Sequence, residues 1–175
     1  MLGMIKLKIT TTKNNRNQIT ILGIGNTLYT DEGLGVHALY SLEDKFSTDQ
    51  QVELIDGSTD GMSLLGPVED TDYLIVIDAI NAGKEGGYII ELHGDEIPAY
   101  YGVKMSIHQL GFQEVLLASK LRERFPKNIV MIGMQPSSLE LGIGLSETNE
   151  AQLPELMKKV ELQVNEWKNE IAWID

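Results

Sequence analysis

The sequence predicts an α/β fold, a three-layer sandwich in which a twisted, mixed five-stranded sheet carries helices on both faces. Three observations lead there. Short, β-branched apolar runs bounded by turn residues recur along the chain. Longer segments between them place apolar residues every three or four positions. The two kinds of segment alternate as β-α-β-α-β-β-α-β-α, the pattern of strands joined by crossover helices.

Taken in order, residues 1–18 read as a polar extension, ending in "TTTKNNRNQ", and 19–175 as one α/β domain. "ITILGI" (19–24) is the first strand. Val36, Leu39 and Tyr40 space the first helix, which ends at the polar "STDQ" before a second strand, "QVELI" (51–55). "DGSTDGMSLLG" supplies a turn and a short helix. "YLIVI" (73–77) is the most strand-like run and reads as a buried central strand ending at Asp78. The connection "NAGKEGG" is too short for a helical crossover, so "YIIELH" (88–93) should run antiparallel to it. A loop containing Pro98 leads to the helix "QLGFQEVLLASKLRERF" (109–125), whose apolar stripe is expected at Leu110, Leu117, Leu121 and Phe125. "NIVMIGM" (128–134) is the fifth strand. In the last helix Leu153, Leu156, Val160, Val164, Trp167 and Ile171 form one continuous stripe.

Composition excludes several functions. A formal charge of −12, from 26 acidic against 14 basic residues, disfavours a nucleic-acid partner, which would demand Lys and Arg to displace counterions. With no cysteine there is no thiolate nucleophile, disulfide framework or Cys-ligated metal. No signal-peptide pattern or bilayer-spanning run is visible, so a cytoplasmic location without membrane attachment is expected.

In sheets of this class, sites lie beyond the carboxyl ends of the parallel strands. The first such end carries "GIGNTLYTDEGLG" (23–35). Its glycines are spaced too widely for a dinucleotide fingerprint, and no Gly-Lys-Ser/Thr follows for a P-loop. Asp31 and Glu32 have two readings: acids favoured by a helix dipole, or a functional pair. Asp78, after the central strand, either caps a turn or is a buried carboxylate that needs a partner or a metal. His108 precedes a helix that should start at the same rim, where Ser106 could serve as N-cap and leave the imidazole solvated. An imidazole with two carboxylates suits a divalent ion such as nickel or zinc. His37 and His93 are expected to be structural or exposed, away from that rim. There is no HExxH pattern for a zincin.

"LGIGNTLYTDEGLGVHAL", "DGSTDGMSLL", "YLIVIDAI", "MSIHQLG" and "QPSSLELGIGLS", in this order and spacing, resemble the motifs of the [NiFe]-hydrogenase maturation endopeptidases. The likeness runs from about Ile19 into the last helix. Glu32 stands where many relatives have Asp, and Ile107 where Pro often precedes the histidine. The resemblance implies a peptidase, often classed as aspartic-type, that removes the C-terminal extension of a hydrogenase large-subunit precursor after nickel insertion. It also implies Glu32, Asp78 and His108 as the metal-contacting and catalytic set. The nickel would be supplied by the substrate, at a site that cadmium or zinc could also fill. The rival readings are a non-catalytic nickel chaperone or sensor using the same ligands, and a nucleotide-binding domain of Rossmann type.

Overall fold

The computed structural model describes residues 18–97 and 107–174, with side chains for 18–97 and 110–173. Five strands form one sheet: β1 (Ile19–Ile24), β2 (Val52–Ser58), β3 (Tyr73–Ala79), β4 (Ile89–His93) and β5 (Asn128–Met134). Their spatial order is β2-β1-β3-β5-β4. The first four in that order are parallel, and β4 lies antiparallel on the edge. The fourth strand is thus antiparallel in direction, as its short connection requires, yet its hydrogen-bonded neighbour is β5, which inserts between it and β3.

Strand alternation sorts the core into two layers. On one face, Tyr73, Ile75, Ile77 and Ala79 of β3 meet α1 (Leu34–Phe46) and the C-terminal helix α4 (Glu147–Ile174). On the other, Leu74 and Val76 meet a 3-10 turn (Gly61–Leu64), α2 (Leu65–Glu69) and α3 (Ile107–Leu121). The stripe expected on α4 is buried at all six positions, with Trp167 tilted against Tyr73 at 5.4 Å between ring centroids. Each such side chain contributes about 1.5–3 kcal/mol on burial, enough to hold a helix whose mean hydropathy is otherwise low.

The stripe expected on α3 is on the wrong face. Leu110, Leu117 and Leu121 are exposed, while Phe112, Val115, Leu116 and Ser119 are buried. The helix carries apolar residues around much of its circumference, so two stripes of helical period compete, and the sheet takes the one with the aromatic. Only the partly buried Phe125 of the expected set packs against that core. Tyr40 of α1 is likewise exposed, because its hydroxyl donates to Asp56 Oδ2 at 3.0 Å instead of entering the core. That bond, followed by burial and the nearby Asp56 and Glu43 charges, raises the phenol above its ordinary pKa.

Candidate active site

The glycine-rich loop is shaped by backbone packing. A Cβ on Gly35 would lie 2.1 Å from Ile77 O and 2.3 Å from Ile24 O, so the start of α1 sits directly on the ends of β1 and β3. A Cβ on Gly23 would meet Gly35 O at 2.3 Å. Gly25 adopts φ +144, and a Cβ there would lie 2.0 Å from Glu32 O. Only glycine permits both that conformation and that approach. The Asn26 N–H also donates to Glu32 O, at 3.2 Å. The loop is therefore folded onto its own 3-10 turn (Thr30–Gly33), with the Glu32 carbonyl against Gly25 and the Asn26 N–H. The glycines hold Glu32, half-buried, beside the end of β3.

Asp78 is the penultimate residue of β3 and is completely buried. Its register partner on β5 is Gly133, which has no side chain to crowd it. By strand alternation it shares the Leu74 and Val76 face, the face covered by α3. The strand continues two residues beyond the expected 73–77, to Ala79, which places Asp78 within the sheet instead of in a following turn.

His108 is the second residue of α3. That helix begins at the carboxyl rim: Gly111 packs against Gly61, where a Cβ would come within 3.3 Å of the Gly61 Cα, and Gly61 follows β2. The backbone of His108 thus stands on the Asp78 side of the sheet at the expected rim. Its imidazole, and the whole of Ser106 and Pro98, lie outside the described residues. Among the described side chains, which do not include that of His108, no three His, Asp or Glu form a metal-sized cluster.

His93 is exposed at the far end of β4, its Nε2 3.0 Å from Glu91 Oε1. His37 is nearer the rim than expected. A Cβ on Gly33 would lie 3.3 Å from His37 Nε2, and that nitrogen is buried without a hydrogen-bond partner among the described residues.

Two acids have structural roles that sequence reading missed. Asp31 is completely buried. Its Oδ2 accepts from Ser137 N–H, Ser138 N–H and Ser146 Oγ–H, each at 2.8 Å, and its Oδ1 from Ser146 N–H at 2.7 Å. The same Ser146 hydroxyl accepts from Asn149 N–H at 3.3 Å and so caps α4. Asp56 accepts from both Ser58 N–H at 3.0 Å and Ser58 Oγ–H at 2.7 Å, steadying Ser58 at φ 38. Ser58 O in turn receives the Gly25 N–H at 2.9 Å. A chain of contacts therefore runs from the "DGST" turn to the loop that carries Glu32. The only sequence signal for either role was their place in quoted motifs.

A loop packed on its own glycines, with carboxylates at the ends of two adjacent parallel strands, defines an acid-lined α/β site and not a phosphate cradle. Known proteins narrow that class. The family model described as hydrogenase maturation protease matches residues 36–163. The chain is 41% identical over 144 residues to the hydrogenase 2 maturation protease of Escherichia coli K12, covering 82% of this chain and 88% of that protein. It is 45% identical over 130 residues to the hydrogenase expression/formation protein HupD of Bradyrhizobium diazoefficiens, covering 74% and 68%. Among solved structures, the hydrogenase maturating endopeptidase HybD from E. coli superposes with a TM-score of 0.81 at 39% identity, covering 85% of this chain and 93% of that one. The [NiFe] hydrogenase maturation protease HybD from Thermococcus kodakarensis gives 0.69 at 25%, covering 82% and 97%. The chain belongs to the hydrogenase maturation protease family. It is accordingly a hydrolase of the peptidase class, and its mixed five-stranded sandwich is the fold of that family. No helix among the described residues is long and apolar enough to cross a membrane.

Proposed function

We propose that the protein is an endopeptidase that removes the C-terminal extension of a [NiFe]-hydrogenase large-subunit precursor, and that Glu32, Asp78 and His108 contact the nickel carried by that precursor. The observation that supports this reading most is the burial of Asp78 at the end of β3, with the glycine-held turn of Glu32 packed beside it. Two oxygen donors and an imidazole fit a divalent ion such as nickel, and three protein ligands leave positions open for groups of the substrate. Cadmium or zinc fits the same donors. The metal is substrate in this scheme: it orients the precursor so that the scissile peptide lies at the rim. A carboxylate held there can accept the proton of the attacking water, a contribution of about 10²–10⁴-fold for a positioned base.

Glu32→Gln, Asp78→Asn and His108→Ala should each reduce cleavage of a nickel-loaded precursor by at least about 100-fold, followed by mass spectrometry, with thermal unfolding still cooperative. Normal processing by the His108→Ala enzyme would overturn the assignment. A precursor mass left unchanged by the native protein would favour a metal chaperone.

A further inference from the structure

The segment 137–146 crosses the rim beside Glu32 as an irregular loop, and it is anchored far more firmly than its lack of secondary structure suggests. Thr30 N–H donates to Glu140 O at 3.0 Å, Asp31 N–H to Ser138 O at 3.2 Å and Gly142 N–H to Leu28 O at 3.0 Å. The Thr30 hydroxyl adds a bond to Ser138 O at 2.8 Å. Across this ladder the Asp31 carboxylate collects its four donors from both ends of the segment. The loop nevertheless exposes Leu139, Leu141 and Ile143 at alternate positions, Ile143 at 97%, and the paired segment exposes Leu28 and Tyr29. Large apolar side chains fixed in water on an ordered backbone gain nothing for the fold. They mark a contact surface whose ordering entropy is already met in the free protein.

We infer that Asp31 is a positioning residue: it latches the 137–146 loop so that Leu139, Leu141 and Ile143 form a preset apolar platform for the precursor beside the scissile bond. The inference rests on the proposed peptidase function and deepens it. Its occupant is the protein precursor, since the platform is bonded to Leu28, Thr30 and Asp31, the residues that lead directly into Glu32, and a polypeptide lying at Glu32 passes beside it. The division of labour follows from the contacts. Glu32 is held by Gly25, Asn26 and the Gly35 packing, none of which involves the Asp31 carboxylate. Beyond its backbone ladder, the loop has its two ends tied together by the four bonds it donates to that carboxylate. All four of its partners are donors, so an asparagine in its place must turn its NH₂ toward at least one N–H or O–H and lose that bond.

The test uses the full chain and a nickel-loaded precursor. Asp31→Asn and Ile143→Ser should each raise KM at least about tenfold, the scale of a lost apolar anchor, with kcat within about twofold of the native enzyme because the chemistry at Glu32 is untouched. In the double variant the two effects should not add, since Asp31 acts through the loop that bears Ile143. Brief digestion with proteinase K should cut Asp31→Asn within 138–144 while the native chain resists there. This readout needs no precursor and stands even if the peptidase reading fails, whereas failure of that reading shows as an inert native enzyme. If Asp31→Asn does not fold, Ser146→Ala removes one latch donor and Ile143→Ser none, and both should still raise KM. A fall in kcat with KM unchanged, strictly additive effects, or a native loop as readily cut as the variant's would each overturn the inference.

Discussion

The two faces of the sheet are built differently. On the α1 and α4 face, α4 packs through its side-chain stripe, but the start of α1 meets the strands backbone to backbone: Gly23 and Gly35 bring its first turn onto the carbonyls of Ile24 and Ile77. On the α3 face the contact is made by side chains, with Phe112, Val115 and Leu116 filling the layer over Leu74, Val76 and Met131. The first kind of contact fixes positions to within a few tenths of an ångström and tolerates no added atom. The second can repack. The catalytic candidates divide along the same line, Glu32 carried by the backbone-packed loop and His108 by a helix seated mainly through side chains, with one close backbone approach at Gly111 and Gly61.

The largest effect should come from breaking the first face. Gly35→Ala puts a methyl group against three backbone atoms of Ile24 and Ile77, none of which can move without opening the sheet. A loss above about 3 kcal/mol, beyond the usual overpacking range, is expected in denaturant unfolding. A loss under 1 kcal/mol would show that the contact is softer than drawn. On the other face, Phe112→Ala should cost about 3–5 kcal/mol as a cavity, against less than about 0.5 for the exposed Leu117→Ala. Equal losses would mean that α3 is rotated from the orientation seen here.

The smallest effect sharpens the first face electrostatically. Burial pushes the Asp49 carboxyl upward, but the Lys168 ammonium of α4 and the Gln51 N–H outweigh it, and the net shift is downward. A depressed carboxylate stabilises the fold above its unfolded pKa and loses that contribution as pH falls through the folded value. The native chain should therefore exceed Lys168→Met by about 0.5–1 kcal/mol near pH 6, and the gap should close as the carboxylate is protonated toward pH ~3. A gap independent of pH would assign the difference to packing of the lysine stem.

These contrasts also explain what could be read from residues alone. The strands β1 and β5 and the stripe of α4 were legible because each is written in a single local period. The α3 face was not, since Leu110, Leu117 and Leu121 keep helical spacing as well as Phe112, Leu116 and Ser119 do, and only the sheet chooses between them. The insertion of β5 between β3 and β4 is decided by long-range pairing that a connection length does not encode. At the rim, Asp78 was visible as an acid ending an apolar strand, and its burial follows from that. Asp31 looked like a helix-start acid because its partners lie more than a hundred positions away. Gly25 and Gly35 were recognisable as a motif, but that they press on Glu32 and on the residue before Asp78 is geometry, not pattern.

The place of β5 has a consequence for synthesis on the ribosome. Strand β4 emerges before β5, its strand partner among the described residues, and β3 keeps an open edge until β5 slots in beside it. The platform loop and the serines that grip Asp31 follow β5 in the chain. A nascent polypeptide therefore makes Glu32 and Asp78 well before the segment that is bonded beside them, and that corner of the fold can close only after β5 has been synthesised.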